Sequence, residues 1–189
     1  MRLREPHKIA ARIIQDAGGE LVGCTRLQKV TYLSQLAGFS NDFEFEYRHY
    51  GPFSEDLARS MEIAVALGPV KEVERQTDWG GRYSVYTLRS SRPTDPDRTA
   101  FFRHAKGVDA NELELAATAA YLFVVEQIGN SKPGNPWEET KLRKPEKSAD
   151  GRLQRAADVY NALRKLRTPT PLPELPSPLI KTERASEQT

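Results

Sequence analysis

Three histidines, one cysteine and two closely spaced glutamates are the groups from which this 189-residue chain could build chemistry. Nucleophilic catalysis needs a Ser, Cys or Thr held beside a base. His7, His49 and His104 each stand without a motif partner nearby in the sequence. Cys24 directly precedes a helix start, but no base accompanies it. His49 falls on the Phe/Tyr side of an alternating segment, so a half-buried, satisfied imidazole is expected rather than a catalytic one. Glu44 and Glu46 share one face of that segment and could mimic an acid–base carboxylate pair. Spaced charges on a solvated face explain them without chemistry. Gly18-Gly19 and Gly80-Gly81 lack the spacing of a phosphate loop and read as turns. A single cysteine forms neither an internal disulfide nor a multi-cysteine metal site. The residues therefore predict no enzyme, no metal and no cofactor.

Apolar residues make up 38% of the chain, below the usual ~45–50% of a globular domain. One core is expected, with part of the chain outside it. The first residues, Met1-Arg-Leu-Arg-Glu-Pro-His, have no apolar run behind them, and no segment approaches the ~18 apolar residues of a membrane span. The expectation is a cytoplasmic protein with no membrane contact. Charge is uneven along the chain. Residues 1–89 hold 12 Lys/Arg against 12 Asp/Glu, whereas residues 131–168 hold 10 against 5. Attraction for an acidic partner is thus concentrated late in the sequence.

Periodicity then supplies the elements. Ile9, Ala10, Ile13, Ile14 and Ala17 form one stripe of a helix over 6–17, with Pro6 in its first turn. A second helix is expected from Thr25, capped by its hydroxyl with Gln28 reaching back, and buries Leu27, Val30, Leu33, Leu36 and Ala37. Residues 43–50 alternate strictly and predict a half-buried strand, broken by Gly51-Pro52. Ser54 caps a third helix, with Glu55 and Asp56 suited to its positive end. Strands over 70–76 and 83–88 flank a glycine-containing turn and predict a hairpin. Helix, helix, strand, helix, hairpin is a winged-helix order, filling residues 1–89. After a proline-bearing linker over 90–97, residues 98–168 supply two or three more helices, one capped at Asp109 and the last starting near Gly151. The fold class expected is mainly α with a small antiparallel β-sheet: a winged-helix-like N-terminal unit extended by C-terminal helices into one body. Five prolines over 169–189 predict an extended or disordered tail whose removal leaves the melting temperature nearly unchanged, unless Leu172, Leu175, Leu179 and Ile180 dock it.

A winged helix normally sends its third helix into the DNA major groove. Here that helix carries Glu55, Asp56 and Glu62 against Arg59 alone, a charge that repels phosphate. The possible nucleic-acid contact is instead the late basic helix with Arg152, Arg155, Arg164, Lys165 and Arg167. A solvated helix face is its plainer reading.

Two segments carry a family signal. Thr25-Arg-Leu-Gln-Lys-Val-Thr-Tyr-Leu33 followed by Tyr50-Gly-Pro-Phe-Ser-Glu-Asp-Leu57 resembles the Panacea (SocA-type) antitoxin domain and its uncharacterised YwgA-like bacterial relatives. The match covers residues 25–67. It implies a non-enzymatic neutralising or adaptor module that binds and controls a protein partner, such as a co-encoded toxin. A winged-helix DNA-binding regulator and a structural subunit of a larger prokaryotic assembly are the alternatives. Leu27, Val30 and Leu33 are core by periodicity. Gln28, Lys29 and Tyr32 fall elsewhere on the same turns and are expected to face the partner, together with Tyr50, Gly51, Pro52 and Phe53 at the corner. Lys29→Glu should then be an exposed charge swap that leaves the fold intact.

Overall fold

The computed structural model describes residues 5–89, 92 and 95–179 and holds seven helices and five short strands among them. In chain order they are α1 (Pro6–Asp16), β1 (Glu20–Val22), α2 (Cys24–Leu36), β2 (Glu46–Arg48), β3 (Gly51–Phe53), α3 (Glu55–Ala66), β4 (Val70–Gln76), β5 (Arg82–Leu88), α4 (Pro96–Lys106), α5 (Ala110–Val124), α6 (Pro136–Arg143) and α7 (Arg152–Arg164). The class is mixed α+β. Proline opens α1, α4 and α6, where its missing N–H needs no partner. Side-chain caps fix several helix starts. Ser54 accepts from the Leu57 N–H (3.3 Å), and Asp109 accepts from the N–H groups of Asn111 (2.9 Å) and Glu112 (3.2 Å).

Two small antiparallel sheets form. The larger has the order β1-β5-β4, and the smaller is the β2–β3 hairpin. β1 was not foreseen: three residues give too short a pattern to recognise, and only pairing of Leu21 with Tyr86 on β5 defines it. The strand expected over 43–50 shrinks to β2. Gly51 does not simply end it; with φ +82° it folds the chain back across a His49-Tyr50 turn, so that Tyr47 faces Pro52 in β3. His49 is consequently exposed rather than half-buried. The cap expected at Thr25 is absent as well. α2 begins after Gly23, which makes no side-chain cap bond, and Gln28 is engaged elsewhere. α6 was also unforeseen, read as loop and basic stretch.

α5 runs through the middle, with every residue from Leu113 to Leu122 buried and α2, α6 and α7 packed around it. Small residues make this possible: Ala116, Ala117, Ala119 and Ala120 let neighbouring backbones approach. A second buried tie joins α1 to α4, where Arg98 donates to the Asp16 carboxylate and to the Phe39 carbonyl.

The proline-rich tail is extended, and through residue 179 it is docked. Leu172 and Leu175 are buried. Thr170 donates its N–H to the Ala37 carbonyl (3.0 Å), the Tyr160 hydroxyl donates to the Pro173 carbonyl (2.8 Å), and Asn135 donates to the Ser177 carbonyl (2.8 Å). Of the two courses the sequence left open, the described part of the tail takes docking through Leu172 and Leu175. Prolines that cannot join a ladder still present carbonyls and lower the entropy lost on docking. Ile180 lies outside the described residues.

Deleting residues 169–189 should remove two leucine anchors worth about 2 kcal/mol each. We expect the melting temperature to fall by at least ~6 °C. An unchanged melting temperature would show that the docked segment adds nothing.

Candidate functional site

The family-like segments meet at one corner, and they are held there from below. Gln28 is buried and grips the start of α3 with both ends of its amide. Its Nε2 donates to the Ser54 carbonyl (2.9 Å), and its Oε1 accepts from the Ser54 N–H (2.8 Å). Lys29 is the next residue of α2. Its Nζ donates to the Pro52 carbonyl (2.7 Å), and the residue is 1% exposed. Tyr32, also buried, packs edge-on to Phe45 (5.3 Å) and against Tyr121 (5.9 Å). Among the described residues its hydroxyl has no hydrogen-bond partner. The reading that Gln28, Lys29 and Tyr32 face outward is overturned. Periodicity finds one apolar stripe, but α2 is packed on more than one side, and polar side chains fill the remaining faces.

A second set of polar groups comes from the C-terminal helices. Glu114 on α5 is 1% exposed. Its carboxylate accepts from Lys144 Nζ (2.7 Å) and Lys147 Nζ (2.6 Å). Lys144 also donates to the His49 carbonyl (2.9 Å). Two lysines from opposite halves of the chain thus hold the carbonyls on either side of the Tyr50-Gly51 step. Thr118, one turn along α5 from Glu114, completes the floor with a hydroxyl that has no partner among the described residues. A Cβ on Gly51 would lie 2.4 Å from this hydroxyl. Glycine at 51 is required twice, by its φ and by this contact.

Above this floor the corner presents its aromatics. Tyr50 is 53% exposed, its ring stacked edge-on to His49 (4.8 Å) with Lys147 Nζ 4.8 Å from its centroid. Phe53 is half-buried under the Arg48 guanidinium, 5.0 Å from the ring centre. Of the seven corner residues expected from sequence, Tyr50 and Phe53 are accessible, while Gln28, Lys29, Tyr32, Gly51 and Pro52 support them. Glu114, Thr118, Lys144 and Lys147 were missed. A lone glutamate inside the apolar run Leu113–Leu122 was the one available signal, since such a carboxylate must find a cation.

The basic helix is not a free cationic face. Arg155 pairs with Glu112 (2.6 Å), Arg152 with Asp150 (3.7 Å), Arg164 with Glu174 (3.4 Å) and Arg167 with Asp97 (3.3 Å). Cys24 is exposed, its Sγ 3.1 Å from the Tyr86 hydroxyl rather than beside a base.

Burial holds the Lys29 ammonium down to about 7; Glu114 opposes this, and Lys144 and Lys147 add to it. The unfolded chain, with the ordinary lysine value of 10.5, binds the proton more tightly than the folded one. Stability should therefore rise with pH between these values and level off below about 7. Measured by urea unfolding, wild type should gain on Lys29→Met from pH ~7 to ~10, by up to ~1.4 kcal/mol per pH unit. A pH-independent difference would mean that Lys29 keeps its ordinary value. Lys29→Glu is not a benign probe: it buries a second carboxylate near Glu114 and should destabilise by about 3–5 kcal/mol.

The glycine requirement is tested separately. Gly51→Ala should cost about 3 kcal/mol, from the left-handed backbone and the Thr118 contact together. Gly80→Ala, at φ +88° but in open space, should cost only about 1–2 kcal/mol. Equal losses would remove the role of Thr118.

No family model matches the chain. It is similar to a Bacillus subtilis (strain 168) protein named as uncharacterised protein YwgA, with 29% identity over 125 residues, covering 61% of this chain and 73% of that one. Among the described residues no three His, Cys, Asp or Glu side chains gather as metal ligands, and no helix is long and apolar enough to cross a membrane.

Proposed function

We propose that the protein is a cytoplasmic, non-enzymatic binding module of the antitoxin or adaptor kind, engaging a partner protein through the corner that carries Tyr50 and Phe53. The observation behind this reading is the preformed corner: two buried lysines and the Gln28 amide hold the backbone at His49, Pro52 and Ser54, so that two aromatic rings are presented without further ordering. Preorganised aromatics are typical binding anchors, because little side-chain entropy is lost when they are covered. The resemblance to the Panacea domain supports the same reading, since the matching segments are the ones that build the corner. The YwgA likeness is compatible with it and adds no activity of its own.

A second reading, a winged-helix DNA-binding regulator, is favoured by topology. α1, β1, α2, α3, β4 and β5, with β1 paired to β5, follow the winged-helix order. Charge speaks against it: α3 has Glu55, Asp56 and Glu62 against Arg59, and four arginines of the basic helix region are already paired with carboxylates. We favour the protein partner.

Tyr50→Ala should leave stability within about 1 kcal/mol, as an exposed substitution. It should weaken capture of the wild-type partner by at least ~30-fold, the effect of losing a ~2 kcal/mol anchor. Retention of every partner would remove the corner from the interface. A specific duplex-DNA affinity near ~10⁻⁸ M at physiological salt would instead promote the regulator.

A further inference from the structure

The N-terminal unit carries a trough that the corner alone does not explain. Three concavities adjoin on one side of the molecule. The first, about 560 Å³, lies between the β4–β5 hairpin and the start of α2, with Trp79 at its rim and Cys24 at its inner end. The second, about 240 Å³, shares Cys24 and continues over Leu27, Met61 and Tyr86 to Phe53. The third, about 220 Å³, begins at Phe53 and reaches Phe45. Apolar side chains recur along its length, with Val22 and Trp79 at one end, Leu27, Met61 and Tyr86 in the middle and Phe53 and Phe45 at the other. Trp79 is 85% exposed, a large apolar ring left in water at the hairpin tip.

The rim is acidic. Glu44, Glu46, Glu55 and Asp56 border the Phe53 end, and Glu62 and Glu72 border the middle. The Trp79 end has Glu74 with Arg26 and Arg82. Arg48 bridges Glu46 and Glu55. Seven carboxylates against three guanidiniums leave four negative charges in excess. β4 organises the middle of this rim: Glu72 and Glu74, two residues apart, share one sheet face with their β5 partners Tyr86 and Ser84. Four arginines of the late basic region are already paired with carboxylates, which favours a different protein over a second copy as the source of the cations.

We propose that this trough seats an extended lysine- or arginine-bearing segment of a protein partner, its apolar residues against Trp79, Tyr86 and Phe53 and its cations along the carboxylates of the rim. The proposal rests on the partner-binding reading above and adds the chemistry of the segment bound. An excess of negative charge rejects nucleic acid and steers a basic segment toward the trough. Apolar contact along the floor then supplies what exposed charges alone do not.

The test uses the full chain and a fluorescein-labelled heptapeptide of alternating lysine and leucine, followed by anisotropy at about 0.15 M salt. Saturable one-to-one binding is expected, with none for the glutamate–leucine counterpart. The double variant Glu62→Gln/Glu72→Gln changes only exposed side chains and should weaken binding at least ~10-fold. Trp79→Ala should weaken it as well. Asp158→Asn, an exposed carboxylate on α7, should have no effect. Absence of saturable binding overturns the proposal, as do an equal loss in Asp158→Asn, equal binding of the glutamate–leucine peptide, or displacement of the peptide by duplex DNA. If the peptide fails while Tyr50→Ala still releases its partner, the trough falls and the corner stands. If the peptide binds while Tyr50→Ala keeps its partner, the reverse holds.

Discussion

A single buried carboxylate organises the meeting of the two halves of the chain. Glu114 sits on the helix with the most complete burial, where an unpaired charge would be too unfavourable to keep. Lys144 and Lys147 answer it from the segment after α6. That pairing draws the C-terminal helices onto α5 and brings Lys144 within reach of the His49 carbonyl. Lys29 approaches from α2 and holds the Pro52 carbonyl. The β2–β3 turn is thereby tied to both the N-terminal and the C-terminal parts, and Lys147 also lies against the exposed Tyr50 ring.

The same economy of charge shapes the surface. The basic stretch late in the sequence is largely consumed by internal pairs, from Arg143 with Glu126 (2.7 Å) to Arg155 with Glu112 (2.6 Å). The N-terminal half, neutral by count, places seven of its carboxylates along one trough, while Asp16 is buried against Arg98 of α4. Net charge per segment counts the paired arginines of the basic stretch as if they were free. What matters for a partner is charge left uncompensated at the surface, and pairing decides that.

Aromatic side chains divide in a similar way between support and display. Tyr32, Phe45, Tyr47 and Tyr121 stack on one another beneath the corner, with Arg143 capping Tyr47 at 4.8 Å. Tyr50 and Trp79 stand clear of that stack at two hairpin turns. Hairpin tips are stiff, exposed and free of core duties, which suits them to carrying anchors.

Local pattern was enough for much of this. The stripes Ile9–Ile13–Ile14 and Leu27–Val30–Leu33, the Ser54 and Asp109 caps, and the β4–β5 hairpin each follow from interactions within a few residues. Those interactions are present in the chain whatever surrounds it. The α+β class followed from them. Tertiary structure alone decided the rest. β1 exists because β5 pairs with it, Gln28 and Lys29 are buried because α3 and the Pro52 carbonyl cover them, and the tail through residue 179 is docked because Ala37, Asn135 and Tyr160 bond to it. Each is a contact between residues far apart in sequence. A lysine on a helix turn looks the same in sequence whether its ammonium meets water or a carbonyl, and only the folded chain brings that carbonyl to it.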